Sequence, residues 1–184
     1  MSLNEWFTKG MTPKEYINSM EKHQGNLLLI LESFSIPPED EHFFEELKKA
    51  DLRVIVLTED WCGDAMLNVP ILFKIAEAAG MEVRLLERDQ NLELMDQYLT
   101  NGKSRAIPIF IFIDQEGNER AVWGPRAPKI QQFVDEARAK LPSKEDPSFE
   151  ENRQKFISTL TKKYRDDHGV WHEVYESIKK VFKK

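Results

Sequence analysis

The single cysteine of this 184-residue chain, Cys62, lies in the stretch Val54-Ile-Val-Leu-Thr-Glu-Asp-Trp-Cys-Gly-Asp-Ala65. A thiolate attacks disulfides and electrophiles, so the chemistry here depends on whether the surroundings favour ionisation. Leu52 to Leu57 is aliphatic and β-branched, bounded by Ala50-Asp51 and Thr58-Glu59-Asp60, which predicts a strand buried on both faces. Met66, Val69, Ile71, Leu72, Ile75 and Ala76 then recur at helical spacing, and Gly80 supplies the stop. Cys62 is thereby placed at a helix start, where free N–H groups and the positive end of the dipole lower a thiol's pKa. Asp64 opposes this. At about 6 Å and an effective dielectric of roughly 40, its charge costs the thiolate about 1.4 kcal/mol, near one pKa unit. The two effects roughly cancel, and Cys62 is expected to be partly exposed and the most reactive group in the chain. Asp64 itself reads as a helix cap or a proton carrier. Glu59, Asp60 and Asp64 together predict an acidic rim that favours basic or neutral partners.

The elements that must hold this turn follow from the flanking pattern. Upstream, Thr12-Pro13-Lys14-Glu15 is a capping box opening a helix that runs to Gly25, Leu27 to Phe34 is a second helix or a buried strand, and Glu39 to Ala50 is a third helix. Downstream, Glu82 to Leu86 reads as a strand and Asn91 to Leu99 as a helix. Ile107 to Ile113 and Glu119 to Trp123 form a hairpin through Asp114-Gln-Glu-Gly-Asn118, and Lys129 to Leu141 is a helix. This order implies a parallel strand pair with a right-handed crossover, the cysteine turn lying at its carboxyl edge. From Ser143 on, ten basic residues stand against eight acidic, whereas residues 1–142 hold 16 against 24. Phe149, Phe156, Leu160 and Tyr164 suggest one helix in this tail, Gly169 a break, and Trp171, Val174, Tyr175, Ile178, Val181 and Phe182 a second, amphipathic one.

Trp61-Cys62-Gly63 after an apolar strand, with Ala106-Ile107-Pro108 opening another some forty-five residues later and Pro70 inside the helix, resembles the thioredoxin family. The variant around Cys62 is most similar to a bacterial branch of thioredoxin-like proteins. The resemblance implies an α/β thioredoxin-like fold, a central mixed sheet of about four strands flanked by helices. On that frame residues 1–50 are an N-terminal helical extension, 51–142 the thioredoxin-like domain and 143–184 a C-terminal helical extension. It also implies a cis bond before Pro108, beside the thiol, and a substrate groove formed by Trp61, Gly63, Asp64, Ile107 and Pro108. Three departures stand out: Ala65 replaces the second cysteine, Asp64 replaces the proline of the motif, and Val56 occupies the place of the family's buried acid.

These readings support a monothiol thiol–disulfide oxidoreductase in which Cys62 is the catalytic nucleophile and an external thiol resolves the mixed disulfide. The alternative is a redox-inactive binding module using the groove beside Pro108, so the residues leave open whether the chain is an enzyme. No cofactor is expected beyond an external small-molecule thiol, and the partner is a disulfide-containing protein or a low-molecular-weight thiol. A hydrophobic content of 41%, a charged fraction of 32% and a net charge of −6 fit a soluble protein and argue against nucleic acid. Leu27 to Leu31 is too short to span a membrane, membrane contact through the last helix is not expected, and the absence of a leader pattern suggests the cytoplasm. His168 and His172 stand at i, i+4 with no third ligand in view, so no metal is expected.

Overall fold

The structure is a computed structural model that describes residues 1–183. Its centre is a four-stranded sheet built from β1 (Arg53–Thr58), β2 (Glu82–Glu87), β3 (Ile109–Ile113) and β4 (Glu119–Trp123), in the order β2-β1-β3-β4. β1 and β2 are parallel, with Val56 opposite Leu85, and β3 runs antiparallel to both β1 and β4. The two central strands are the most apolar: Val54 to Leu57 and Phe110 to Ile113 expose no measurable surface, whereas β4 at the edge is largely exposed. This is the mixed sheet of a thioredoxin-like α/β fold.

The crossover from β1 to β2 is α5 (Gly63–Ala79), closed by Gly80 in the left-handed conformation and carrying Pro70 inside. Against it pack α3 (Gln24–Ser33), α4 (Glu41–Leu47), α8 (Phe149–Asp166) and α9 (His168–Lys180). The remaining helices are α1 (Leu3–Lys9), α2 (Pro13–Ser19), α6 (Leu92–Met95) and α7 (Pro128–Ala139). α2 has the capping box of Thr12 and Glu15 that the sequence predicts.

Several boundaries move, each for a local reason. α1 is new: Ser2 and Glu5 form a second capping box, and the short helix buries Trp6 and Phe7. The helix after Thr12 ends at Ser19 instead of Gly25, because His23 turns the chain through a left-handed conformation and Gly25 falls in the first turn of α3. The long helix read over Glu39–Ala50 is a seven-residue α-helix between two 3-10 turns, and the one over Asn91–Leu99 shrinks to α6. The break between α8 and α9 falls at Asp167, whose carboxylate caps α9 through the N–H groups of Gly169 and Val170; Gly169 is inside the helix.

The N-terminal segment also shields a sheet edge. Met11 and Leu85 exchange backbone hydrogen bonds, each 2.8 Å, along the outer side of β2. Gly10 permits that approach, since a Cβ there would lie 2.8 Å from Cβ of Arg84.

Candidate functional site

The turn after β1 ends at Cys62, whose backbone is extended (φ −82°, ψ 118°) and whose sulfur is the N-cap of α5, accepting from the Ala65 N–H at 3.4 Å. The thiol in turn donates to the Ile107 carbonyl at 3.5 Å. The Ile107-Pro108 bond is cis, so β1, α5 and the start of β3 meet at one sulfur. A second cis bond, Gly124-Pro125, lies beside the first. Gly124 has φ +134°, and a Cβ on it would come within 2.3 Å of the Pro108 oxygen, so only glycine allows this contact.

Packing on three sides leaves Cys62 8% exposed. The expectation of a partly exposed thiol with roughly balanced influences on its ionisation is corrected accordingly. Burial is the largest influence and pushes the thiol up to about 11, the Asp64 charge adds to it, and the N–H groups of Ala65 and Asp64 together with Arg126 only partly offset the two. The helix N-terminus acts in the direction the sequence suggests, but desolvation outweighs it. Nearby, Tyr16 of α2 shares a hydrogen bond with the Thr58 hydroxyl at 3.1 Å, and burial pushes its phenol up to about 12.

Asp64 is neither the helix cap, a role taken by Cys62, nor a free rim charge. Arg126 donates from Nε to its Oδ1 at 2.9 Å and approaches Oδ2 through Nη2 at 2.7 Å, while the Tyr164 hydroxyl donates to Oδ1 at 2.9 Å. Burial alone would pull the Arg126 guanidinium down, but the Asp64 carboxylate more than offsets it and the net direction is up. The other two acids of the expected rim are held by backbone donors. Glu59 is buried, accepts from the Asp89 N–H at 3.0 Å and is pushed up by desolvation, and Asp60 accepts from the N–H groups of Glu21 and Lys22.

The other sequence candidates are arranged around the sulfur. Trp61 is 45% exposed with the Arg88 guanidinium 5.1 Å from its ring centroid, a cation–π pair on the rim. A Cβ on Gly63 would meet nothing within 4 Å, so the space there is open. A hollow of about 700 Å³ reaches Ile109 and Gly124 beside Pro108, with Tyr98, Asn101, Glu119 and Val122 also in its lining, and it includes none of Trp61, Cys62, Gly63, Asp64, Ile107 and Pro108. The sequence reading missed Arg126 and Tyr164, and it missed Asn68, which donates to the Pro125 carbonyl at 2.9 Å. The Gly124-Pro125 dipeptide was the one signal for this loop. His168 stacks on Trp171 with centroids 4.3 Å apart, and among the described residues no group of three His, Cys, Asp or Glu side chains is placed to hold a metal. No described helix is long and apolar enough to cross a membrane.

Comparison with known proteins supports the architecture. The chain is similar to the crystal structure of an HIV epitope-scaffold, with a TM-score of 0.63, 17% identity and coverage of 98% of this chain and 97% of that one. It is similar as well to a protein of unknown function from Pseudomonas aeruginosa, with a TM-score of 0.60, 18% identity and coverage of 96% and 98%. No curated protein matches the sequence. A family model described as thioredoxin matches residues 10–138, more than half the chain, and with the strand–cysteine–helix turn beside a cis-proline it places this protein in the thioredoxin family.

Proposed function

We propose that the protein is a monothiol thiol–disulfide exchange protein acting on partners that dock beside Pro108. The observation that carries this reading is the meeting of the Cys62 sulfur and the Ile107 carbonyl, 3.5 Å apart, at a cis-proline. The Cys62 thiolate attacks one sulfur of a substrate disulfide, a mixed disulfide forms, and the other sulfur leaves as a thiolate. An external thiol then attacks the mixed disulfide, freeing Cys62 and taking up the substrate sulfur. Electrons pass from the external thiol to the substrate, and Cys62 is unchanged over the cycle.

Magnitudes shape the expected behaviour. A thiol near 11 has a thiolate fraction at neutral pH about 300-fold below that of a free cysteine, and its greater nucleophilicity returns about tenfold, leaving a deficit of roughly 30-fold. Proximity in a docked complex exceeds that by far, since well-oriented intramolecular reactions reach effective molarities of about 10⁵ M or more. The protein is therefore expected to be sluggish toward free small disulfides and selective for docked ones. The same burial favours a second reading, a groove-binding module without turnover.

The test is reduction of a disulfide-linked protein such as insulin with glutathione as the external thiol, comparing the natural chain with Cys62→Ser. Acceleration that depends on Cys62, with a mixed disulfide seen by intact mass, is the expected result. Equal rates would leave the binding module as the reading, and full activity without glutathione would refute the monothiol cycle.

A further inference from the structure

The carboxylate two residues past the thiol is held by residues from outside the strand–helix turn that carries the thiol. Asp64 sits in the first turn of α5, and its side chain is only 13% exposed. Arg126 reaches it from the loop after β4, and Tyr164 from α8, beyond the residues 10–138 matched by the family model. Arg126 is itself steadied by donating from Nη1 to Gln131 Oε1 at 3.1 Å, and the Tyr164 backbone is fixed by Trp171, whose indole donates to its carbonyl at 2.7 Å. The hydroxyl of Tyr164 thus joins the C-terminal helices to the cysteine turn through one hydrogen bond.

We propose that Arg126 and Tyr164 are positioning residues for the cysteine site, holding the Asp64 carboxylate in a fixed, compensated place so that these two contacts, one of them from the C-terminal helix α8, set how readily Cys62 ionises. Its functional weight rests on the reading of Cys62 as the reacting group, although the effect itself does not require turnover. The physical basis is charge geometry in a poorly solvated place. A carboxylate two residues past the N-cap destabilises the thiolate, a guanidinium paired with it works the other way, and a hydroxyl donor draws off part of the carboxylate's field. The other groups facing the thiol are the N–H donors of Asp64 and Ala65 on α5, the Ile107 carbonyl that accepts from it, and Tyr16 on α2, whose hydroxyl is already engaged with Thr58. None of these groups belongs to the C-terminal helices.

The experiment is the pH profile of Cys62 alkylation in the full-length chain and in variants. Tyr164→Phe, which removes one oxygen, is expected to raise the midpoint by about half a unit and Arg126→Gln by about one unit. The Tyr164→Phe shift is expected to vanish in an Asp64→Asn background, because the residue acts through that charge. Tyr175→Phe removes a hydroxyl of α9 that is engaged with Asp40 and not with Asp64, and is expected to leave the profile in place. Should Arg126→Gln fail to fold, Tyr164→Phe and Asp64→Asn still decide the matter. The proposal is overturned if Tyr164→Phe leaves the midpoint at its natural value, if Tyr175→Phe moves it as far, or if the shift persists without the Asp64 charge. Loss of disulfide exchange with these shifts intact would overturn the exchange reading alone.

Discussion

Asp64 and Cys62 share a helical turn and oppose each other. Asp64→Asn removes the second-largest influence raising the thiol and leaves the Arg126 charge in place, so the Cys62 midpoint is expected to fall from about 11 by one unit or more. Because the pair is poorly exposed, added salt should change this difference little, and an unmoved midpoint in alkylation kinetics would contradict the network. The raised thiol has a consequence for stability too. The folded state holds its proton more tightly than the unfolded chain, whose cysteine titrates near 8.5, so the contribution is complete below about pH 8.5 and is lost as pH rises toward about 11. What the sequence showed at this scale was local. The place of Cys62 at a helix start follows from nearby residue types and its meeting with Pro108 from the family resemblance, whereas the partners of Asp64 lie 62 and 100 residues away and leave no pattern near it.

The strand β1 and the helix α5 were legible because composition and period agree within each. The helices around them were less so. α4 and α6 are short segments whose ends are set by tertiary packing, and α1 carries its capping box in only seven residues. The well-defined first turn of α5 supports a constructive test. Ala65 lies three residues after Cys62, is 1% exposed and already donates its N–H to the sulfur. Ala65→Cys is expected to form a reversible internal disulfide, read as a loss of two mass units and of free thiol, and to give dithiol-dependent reduction of insulin that the natural chain lacks. A variant that keeps both thiols free under mild oxidant would mean that the first turn cannot bring the two sulfurs together.

Across the whole molecule, the two ends of the chain are joined by one acid. Asp40, just before α4, accepts from the Tyr175 hydroxyl and from Lys179 of α9, the latter at 2.9 Å with a side chain only 7% exposed. The Tyr175 hydrogen bond, with help from Lys179, holds the Asp40 carboxyl below its usual range. Its folded pKa being depressed, this contribution is complete above the unfolded value near 3.9 and is lost as pH falls through the lower folded value. Asp40→Asn is expected to cost about 1 kcal/mol or more, roughly 2–4 °C in Tm, and to flatten the acid limb of a stability–pH curve. A variant that melts with the natural chain at neutral pH would show that this contact adds nothing. The chain also carries four tryptophans, of which Trp6, Trp123 and Trp171 are 3%, 6% and 3% exposed, while Trp61 is 45% exposed beside the thiol. Collisional quenchers added to the native protein should therefore extinguish one emitter and spare three, and whatever covers that indole becomes visible as a blue-shifted spectrum with no label attached.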